Sequence, residues 1–356
     1  MIKNRIFDLQ EALTDNQAFL ITSDSNRFYL TGFKSSAGTV LITKTKALFF
    51  VDFRYFEKAK STVCNCNVCL ADKGLADVAV ICKEQKIKSL FIETNHTSIG
   101  EYNRYVKLFE NTVISKENML DTKLNKMRAV KSKNELKFIK QAQDLTEQTF
   151  DYILPRITSG RTEREIMLDM EFFMRRLGAD AVAFDFIVVS GKNSSLPHGV
   201  PTDKKIKKGD FVTMDFGAKV GGYCSDMTRT VAIESISEKQ AKVYETVLKA
   251  QLSAMENIKF GAACRDIDKL ARDIIYSAGY EGCFGHSLGH SVGIDIHENP
   301  TLSPNSTVNL ESGNVVTVEP GIYIENEFGV RIEDMVYVTQ DGYLNLTKAN
   351  KELIIL

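Results

Sequence analysis

Two stretches of the chain align without a gap: Gly209-Asp210-Phe211-Val212-Thr213-Met214-Asp215-Phe216-Gly217 and Gly313-Asn314-Val315-Val316-Thr317-Val318-Glu319-Pro320-Gly321. Each copy has the pattern of a buried strand that carries one carboxylate just before a glycine. A single acidic residue in an apolar strand is usually a boundary accident. The same residue type at the same place in two copies is much harder to attribute to chance, so the pair predicts a duplicated segment with facing carboxylates.

The duplication extends upstream of these strands. The residues that recur at a constant offset of 101 are Gly160, Ile166 and Gly178, which match Gly261, Ile267 and Gly279. Each copy also follows a predicted long helix, over residues 134–154 and 238–258, and Ser237 with Gln240 forms a capping box for the second. Each half therefore consists of two helices followed by strands. Two such halves pack their sheets side by side, with helices on one face and a site on the other.

A hairpin brings the first two acids together. Gly221-Gly222 suits a two-residue turn, which needs positive φ angles. With that turn, Asp226 lies opposite Gly217 and Thr228 lies opposite Asp215. The two aspartates become diagonal neighbours on one face of the hairpin, roughly 7–8 Å apart at the backbone, which leaves room for metal ions between their side chains.

The candidate metal ligands are four carboxylates and one imidazole: Asp215, Asp226, His290, Glu319 and Glu333. Such an oxygen-rich set predicts two divalent ions, with Mn²⁺ favoured and Co²⁺, Fe²⁺ and Zn²⁺ as alternatives. Without metal, the carboxylates would repel one another and raise their own pKa values. The alternative interpretation, surface acids in loops, conflicts with the apolar flanks of these residues and with their duplication.

Several motifs together resemble the proline-peptidase family. They are Leu196-Pro197-His198-Gly199, Asp215-Phe216-Gly217, Ser225-Asp226-Met227-Thr228-Arg229-Thr230, His286-x3-His290-x6-His297-Glu298, Val318-Glu319-Pro320-Gly321, Val330-Arg331-Ile332-Glu333-Asp334 and, less specifically, Asn26-Arg27-Phe28-Tyr29-Leu30-Thr31-Gly32-Phe33. This family includes Xaa-Pro aminopeptidase and Xaa-Pro dipeptidase (prolidase) and belongs to the pita-bread metallopeptidases. The resemblance covers the whole chain. Because all five ligand positions of the family are present, it argues against creatinase and the non-enzymatic pita-bread proteins.

The resemblance implies an α/β (α+β) architecture of two domains. A creatinase-like α/β domain is expected at residues 1–122, followed by a pseudo-symmetric pita-bread catalytic domain at residues 123–356. Predicted strands and helices alternate along the first third of the chain, as an α/β domain requires. Its predicted strands are residues 18–21, 40–43, 47–51 and 90–93, and its predicted helices are residues 55–60, 75–86 and 101–109.

The mechanism follows from the metal pair and the resemblance. Two ions a few ångströms apart hold a water between them, lower its pKa to give hydroxide at neutral pH, and polarise the scissile carbonyl. The resemblance gives Glu319 a second task, as the proton acceptor for that water and then the donor to the leaving amine. It also implies that His198 and His297 face the substrate from outside the metal shell, where they stabilise the tetrahedral intermediate or move protons.

Two further residues are candidates for the site. His286 either lines the pocket for the substrate's proline or simply packs. Arg331 lies two residues before Glu333, so on a strand both side chains point to the same face. A cation there could hold a ligand carboxylate or the substrate backbone, and the alternative is a surface arginine.

The predicted activity is release of the N-terminal residue from peptides with proline at the second position. The alternative is an Xaa-Pro dipeptidase restricted to dipeptides, since the residues that would distinguish the two cannot be placed from sequence. Methionine aminopeptidase is disfavoured by the first domain and by His198 and His297. A catalytically dead peptide-binding protein is disfavoured by the complete ligand set.

Composition narrows the partners and the location. The chain has 356 residues with a net charge of −1, so no basic footprint indicates nucleic acid. No apolar run reaches the roughly 18 residues of a membrane span, and the amphipathic N-terminus lacks a signal-peptide core. Seven scattered cysteines are typical of a reduced cytoplasmic protein. The resemblance adds a homodimer as the expected assembly.

One cysteine group has two interpretations. Cys64, Cys66 and Cys69 have a spacing that is seen in zinc and iron–sulfur sites, but only Cys82 is near enough to complete a ligand set. The alternation of Val63, Val68 and Leu70 instead favours a strand with small structural cysteines.

Overall fold

The computed structural model describes residues 2–356, with no side-chain description for residues 2–4, and it divides into two compact units. They comprise residues 1–127 and 128–356. This division lies within the helix Met119–Ala129, and so does the predicted boundary between residues 122 and 123. Within the described residues, no helix is both long and apolar enough to cross a membrane.

The first unit is an α/β domain built on one mixed sheet. Its helices are α1 (Ile2–Glu11), α2 (Asp24–Thr31), α3 (Phe53–Thr62), α4 (Leu75–Glu84), α5 (Ile99–Leu108) and α6 (Met119–Ala129). Its strands are β1 (Gln17–Ile21), β2 (Thr39–Thr43), β3 (Ala47–Val51), β4 (Asn67–Leu70), β5 (Ser89–Ile92) and β6 (Val113–Ser115). They pair in the order β4-β3-β2-β1-β5-β6. The predicted strands and helices of this unit are confirmed, while α2, α6 and β6 were not predicted.

The cysteines of this unit do not form a metal cluster in the structure. Cys66 and Cys82 are buried, and burial raises the pKa of each thiol to about 12. A thiol must lose its proton to bind a metal. Among the described residues, the group of His, Cys, Asp and Glu close enough to share an ion contains no cysteine. The structure therefore favours structural cysteines along β4, a strand that begins just after Cys66 and includes Cys69.

The second unit contains the duplicated segments. Its helices are α7 (Lys133–Ile153), α8 (Glu163–Arg176), α9 (Glu238–Glu256) and α10 (Cys264–Ser277). Its strands are β7 (Ala181–Val182), β8 (Ile187–Ser190), β9 (Phe211–Phe216), β10 (Ala218–Val220), β11 (Tyr223–Cys224), β12 (Met227–Ala232), β13 (Gly289–Ser291), β14 (Glu298–Leu302), β15 (Val315–Val318), β16 (Gly321–Ile324), β17 (Phe328–Arg331), β18 (Asp334–Val338) and β19 (Tyr343–Asn345). The two long predicted helices correspond to α7 and α9.

The predicted internal repeat is visible in the topology of this unit. Helix α10 begins and ends 101 residues after α8, because 264 − 163 and 277 − 176 both equal 101. Strand β9 lies between β8 and β12, and β15 lies between β13 and β18 in the same way. Capping boxes begin α7, α8 and α9, the last with the predicted pair Ser237 and Gln240. Each of these three helices therefore begins where the sequence supplies a side chain for the free N–H groups of its first turn.

The hairpin that joins the two aspartates has the predicted register. Gly221 and Gly222 have φ angles of 57° and 87°, and the flanking residues of β10 and β11 pair across them. Thr228 lies opposite Asp215 in the β9–β12 ladder. The sequence prediction of a two-residue glycine turn is confirmed, and it explains how residues eleven apart come to the same face (226 − 215 = 11).

The helices cover one face of these strands and leave the other to the carboxylates. Val212, Met214 and Phe216 are fully buried and pack in one core with Ile166 and Met170 of α8. In the second half, Val316 and Val318 belong to the corresponding core with residues of α9 and α10. Since side chains alternate along a strand, Asp215 points away from the helices.

A buried ion pair near the carboxylates predicts a large stability effect. Asp334 lies in β18, with its Oδ1 2.8 Å from Arg229 Nη2 and its Oδ2 2.6 Å from Lys351 Nζ. Burial alone would raise the pKa of Asp334, but Arg229 and Lys351 hold it below its ordinary value. Replacing Asp334 with Asn leaves the Arg229 cation buried without its partner, so the free energy of unfolding should fall by about 3–5 kcal/mol in denaturant titrations.

The matched control is an exposed ion pair of the same unit. Glu327 and Lys239 lie 2.6 Å apart with about half of each side chain exposed. Glu327→Gln should change the free energy of unfolding by less than about 1 kcal/mol. Equal effects of Asp334→Asn and Glu327→Gln would contradict the importance of the buried pair.

Candidate metal centre and active site

One cavity of about 890 Å³ in the second unit is lined by every residue that the sequence analysis predicted for the site. The residues predicted as ligands and catalytic groups, all of which line it, are His198, Asp215, Asp226, His286, His290, His297, Glu319, Arg331 and Glu333. They come from both halves of the repeat. The ligand side chains lie on the strand face opposite the helical core, as the duplicated pattern predicted.

The closest group within the cavity consists of Asp226, His290 and Glu333, whose ligand atoms lie within 4.8 Å of one another. His290 Nε2 is 3.5 Å from Asp226 Oδ2 and 3.3 Å from Glu319 Oε1. Asp226 directly precedes β12, and His290 lies in β13. Glu319 directly follows β15, and Glu333 directly precedes β18. Short strands from both halves therefore aim these donor atoms at a common space.

The protonation of His290 suits a metal ligand. Its Nδ1 lies 3.1 Å from the Ser291 carbonyl oxygen, which can only accept, so Nδ1 carries the proton. The Nε2 lone pair then points at the carboxylates. Burial, with a contribution from His297, lowers the pKa of His290 to about 4, so the ring is neutral at neutral pH. A neutral imidazole is the form that binds metal.

Two buried carboxylate oxygens lack a partner among the described residues. They are Asp215 Oδ1 and Glu333 Oε1, and each belongs to a predicted ligand. A buried, unpaired carboxylate oxygen is costly. The second oxygen of each group is held, Glu333 Oε2 by the Thr228 hydroxyl at 2.7 Å and Asp215 Oδ2 by Arg331 at 2.7 Å. The free oxygens and the hard, oxygen-rich donor set fit divalent cations.

The crowded carboxylates favour their protonated forms in the absence of metal. Burial, then the charges of Glu333, Asp215 and Glu319, raises the pKa of Asp226 well above its ordinary value. Burial, then Glu319 and Asp215, does the same to the pKa of Glu333. Burial, with a contribution from Asp215, raises the pKa of Glu319 to about 8. A cation placed between these groups would reverse the effect by stabilising the charged forms.

Arg331 is buried and is a donor to a predicted ligand. Its Nη2 donates to Asp215 Oδ2, its Nη1 to Tyr323 Oη at 2.8 Å and its Nε to the Thr228 hydroxyl at 3.1 Å. The surface interpretation of Arg331 is wrong, since the residue is only 3% exposed. Its fork geometry lets one guanidinium hold three groups at fixed angles.

Tyr323 is a site residue that the sequence analysis missed. Its hydroxyl bridges Arg331 and the His286 Nε2, which is 2.9 Å away. His286 Nδ1 lies 2.8 Å from the Ser287 carbonyl oxygen, so Nδ1 donates there and Nε2 accepts from Tyr323. A Cβ at Gly321 would stand 2.5 Å from Tyr323 Oη, so the glycine leaves room for the ring. The only signal in the sequence was Gly321 and Tyr323 on one face of a short strand.

The three other histidines lie on the cavity wall. The His297 ring is packed against that of His290, with centroids 4.3 Å apart. His198 and His297 are both exposed to the cavity, on segments from opposite halves of the repeat. Burial, then the charge of Arg331, lowers the pKa of His286 to about 4, so this ring is neutral and hydrogen-bonded to Tyr323. Packing alone therefore does not describe His286.

Hydroxyl groups fix the orientation of two predicted ligands, and these too were missed. Thr228 Oγ1 donates to Glu333, and Thr317 Oγ1 donates to Glu319 Oε1 at 3.0 Å. Each threonine lies two residues from an acid of the site on the same strand face. Such donors hold a carboxylate in one rotamer before a metal arrives.

Comparisons with known proteins agree with this geometry. Residues 137–340 match metallopeptidase family M24, and residues 5–130 match the creatinase/prolidase N-terminal domain. The chain is 39% identical over 338 residues to an Xaa-Pro dipeptidase of Pyrococcus horikoshii, with 95% of this chain and 94% of that one covered.

Two solved structures resemble the chain along almost its whole length. An Xaa-Pro dipeptidase from Bacillus anthracis has a TM-score of 0.95 and 40% identity, with both chains fully covered. An X-Pro aminopeptidase from Thermotoga maritima has a TM-score of 0.90 and 35% identity, covering 98% of this chain and 100% of that one. These relatives carry both names, dipeptidase and aminopeptidase. The chain belongs to metallopeptidase family M24 and carries the creatinase/prolidase N-terminal domain.

Proposed function

We propose that the chain is a dinuclear metallo-aminopeptidase that releases the N-terminal residue from peptides with proline at the second position. The observation that carries the proposal is the cluster of one neutral imidazole and four carboxylates, with two unpaired buried oxygens, at the bottom of an open cavity. The names of the relatives supply the Xaa-Pro preference.

The ligand assignment follows the cluster. Two divalent ions would be held by Asp215, Asp226, His290, Glu319 and Glu333, with Mn²⁺ the first choice for so many carboxylate oxygens. When bound, two such ions would supply a water of lowered pKa and would polarise the scissile carbonyl. Co²⁺, Fe²⁺ and Zn²⁺ are the alternatives to be compared with Mn²⁺ in reconstitution.

The protein groups around the ions move and stabilise charge. Glu319 accepts the proton of the attacking water and delivers it to the proline nitrogen as the bond breaks. His198 and His297, on the cavity wall, donate to the oxygen on which negative charge develops. Arg331 holds Asp215 and Tyr323 in place, and Tyr323 holds His286 beside the substrate.

The size of the cavity supports an aminopeptidase over a dipeptidase. Its volume of about 890 Å³ lies near the upper end of the roughly 300–1,000 Å³ that is usual for ligand pockets. From the carboxylates it extends to α8, where Arg164, Met167 and Arg175 line it. This leaves room for residues beyond an Xaa-Pro dipeptide, and the lining there is basic, although Arg164 and Arg175 are paired with Asp203 and Glu171. A dipeptidase remains the alternative function.

A digest of three peptides with the Mn²⁺-loaded protein tests this function. The mixture contains an Ala-Pro dipeptide, an Ala-Pro tetrapeptide and a proline-free tetrapeptide, and the products are identified by mass spectrometry. Release of alanine from the Ala-Pro tetrapeptide is the expected result. Cleavage of the dipeptide alone would establish the dipeptidase. If the protein contains bound metal but cleaves neither Ala-Pro peptide, the proposal of a hydrolase is replaced by that of a peptide-binding protein. A homodimer and a cytoplasmic location accompany the proposal as predictions.

Arg331→Lys tests the role of the guanidinium. Lysine keeps the charge but cannot donate to Asp215, Tyr323 and Thr228 at once. We expect metal affinity or kcat/KM for the Ala-Pro tetrapeptide to fall by about 10–100-fold. The control is Arg161→Lys, which changes a partly exposed arginine paired with Asp169. Wild-type metal affinity and kcat/KM in Arg331→Lys would show that Arg331 does not orient the site.

A further inference from the structure

Glu163 is a fully buried carboxylate that has no part in the mechanism above. It is the first residue of α8 and is 0% exposed. Among the described residues, its two oxygens accept hydrogen bonds only from backbone N–H, hydroxyl and amide groups, and no ion pair is recorded. Buried carboxylates usually pair with cations. The Glu163 carboxylate instead accepts hydrogen bonds from neutral donors, so its role is to hold those donors at fixed positions.

Four of the five donor groups lie at the two ends of one segment, and the fifth, the Asn193 amide, lies just inside it. Glu163 Oε1 accepts from Ser190 N at 2.7 Å, from Ser190 Oγ at 2.9 Å and from Asn193 Nδ2 at 3.1 Å. Glu163 Oε2 accepts from Thr202 N at 3.0 Å and Thr202 Oγ1 at 2.6 Å. A single carboxylate therefore joins the residue before and the residue after the segment 191–201, which we call the His198 loop.

The position of the His198 ring depends on the backbone of the His198 loop. Within the described part of the chain, no hydrogen bond to the His198 ring is recorded, so the backbone decides where the ring lies. The middle of the loop contacts β17: Gly329 N donates to Ser194 Oγ at 2.9 Å, and Arg331 Nη1 donates to the Pro197 carbonyl at 3.2 Å. At the ends, the Glu163 side chain adds to backbone contacts, since Ser190 also pairs with Val212 in the β8–β9 ladder and the Thr202 carbonyl accepts from Arg164 N at 3.1 Å.

We infer that Glu163 is a positioning residue: by joining the ends of the His198 loop, it sets where His198 and the Pro197 carbonyl lie in the cavity. This inference rests on the proposed function, because it assigns Glu163 to the reaction through His198. It differs from a purely structural role, since a structural carboxylate would affect stability without a specific effect on the step that His198 serves.

The chemistry of the contact makes an isosteric test available. Glu163→Gln keeps the size of the side chain but replaces one acceptor oxygen with an NH₂ group. That group would face donors at Ser190 or Thr202, so one end of the loop loses its partner. Glu163→Asp keeps both acceptors and the charge but shortens their reach, so it should release the loop only partly.

The test compares Glu163→Gln, His198→Ala and the double variant, each as the full chain loaded with Mn²⁺, on the Ala-Pro tetrapeptide. Glu163→Gln should lower kcat by about 10–100-fold with a smaller change in KM. In the His198→Ala background, the same substitution should lower kcat by less than about threefold, because no imidazole remains to be positioned. Glu163→Asp should recover part of kcat. If Glu163→Gln does not fold, the same cycle is run with Glu163→Asp.

The matched control is Glu93→Gln in the first unit. Glu93 is 1% exposed and also accepts from neutral donors, namely Thr22 N at 2.6 Å, Ser23 N at 2.9 Å and Asn26 Nδ2 at 2.7 Å. It lines no part of the cavity. Both Gln variants should lower the Tm, but only Glu163→Gln should lower kcat. A further readout is hydrogen exchange, which should increase in residues 190–202 of Glu163→Gln.

The outcomes separate this inference from the proposed function. Unchanged kcat in Glu163→Gln, or kcat losses that multiply in full in the double variant, would overturn the positioning role while hydrolysis by the wild type stands. A wild type that cleaves no Ala-Pro peptide would instead overturn the proposed function. In that case, hydrogen exchange still tests whether Glu163 holds the His198 loop. Unchanged exchange at residues 190–202 of Glu163→Gln would overturn the positioning role of Glu163.

Discussion

Glu319→Gln is expected to lower kcat for the Ala-Pro tetrapeptide by at least the roughly 10²–10⁴-fold that general acid–base catalysis contributes. The amide side chain of this variant would keep one oxygen for a metal ion but could not accept the proton of the attacking water. The position of Glu319 supports this role, because its Oε1 accepts from the Thr317 hydroxyl at 3.0 Å and lies 3.3 Å from His290 Nε2, among the other predicted ligands.

The control for Glu319→Gln lies in the same hairpin region. Glu325 is exposed in the turn between β16 and β17, so Glu325→Gln changes the same functional group without touching the cavity lining. The hydrolysis rate and the bound metal are measured in the same samples of both variants. This distinguishes a slower catalytic step from a loss of metal. A Glu319→Gln variant within tenfold of wild-type kcat would show that another group moves the proton.

Removal of metal is expected to abolish hydrolysis and to make stability depend strongly on pH. Without ions, Asp226, Glu319 and Glu333 have raised pKa values, caused first by burial and then by the charges of neighbouring carboxylates, including Asp215. The folded chain then binds more protons than the unfolded chain between the ordinary pKa of a carboxyl and the raised value. In that window, the free energy of unfolding falls as pH rises.

The pH window and size of this effect follow from Glu319. Its pKa rises from an ordinary 4.5 to about 8, so the metal-free protein should lose stability between about pH 4.5 and 8. Each unit of raised pKa corresponds to about 1.4 kcal/mol at the high-pH end. Bound cations stabilise the charged carboxylates, so the metal-loaded protein should not show this loss, and metal affinity should fall as pH is lowered.

Thermal unfolding at pH 5, 6.5 and 8 checks this prediction with chelator-treated and Mn²⁺-loaded protein. The Tm of the metal-free protein should fall from pH 5 to pH 8, and the difference between the two forms should be largest at pH 8. Return of Mn²⁺ should restore hydrolysis. A Tm of the metal-free protein that rises over this range would mean that the pKa values of these carboxyls are not raised in the folded chain.

The sequence predicted those parts of the site that depend on local pattern. The Gly221-Gly222 turn determines the register of its hairpin, so the placement of Thr228 opposite Asp215 followed from two glycines and strand alternation. The repeat predicted that Glu319 occupies the position of Asp215 in the other half. The alternation of Arg331 and Glu333 pointed to a cation that holds either a ligand carboxylate or the substrate backbone, and Arg331 does contact Asp215.

Contacts between distant residues were not predictable in this way. Tyr323 reaches His286 across 37 positions, and Glu163 reaches Thr202 across 39. Neither pair lies on one strand or helix, so no periodicity connects its members. In the first unit, α2 was missed because its polar residues Asp24, Ser25 and Asn26 resemble a loop, although Ser23 caps the helix. Strand β6 was missed because it has only three residues.

Counting the ions bound to each chain while following hydrolysis of the Ala-Pro tetrapeptide tests the central claim most directly. Mn²⁺ is titrated into the metal-free wild type, and bound metal and initial rate are measured in the same samples. The account predicts that the rate saturates when two ions are bound per chain, and that Asp226→Asn binds fewer ions and hydrolyses little. Full activity with one ion bound, or with none, would contradict it.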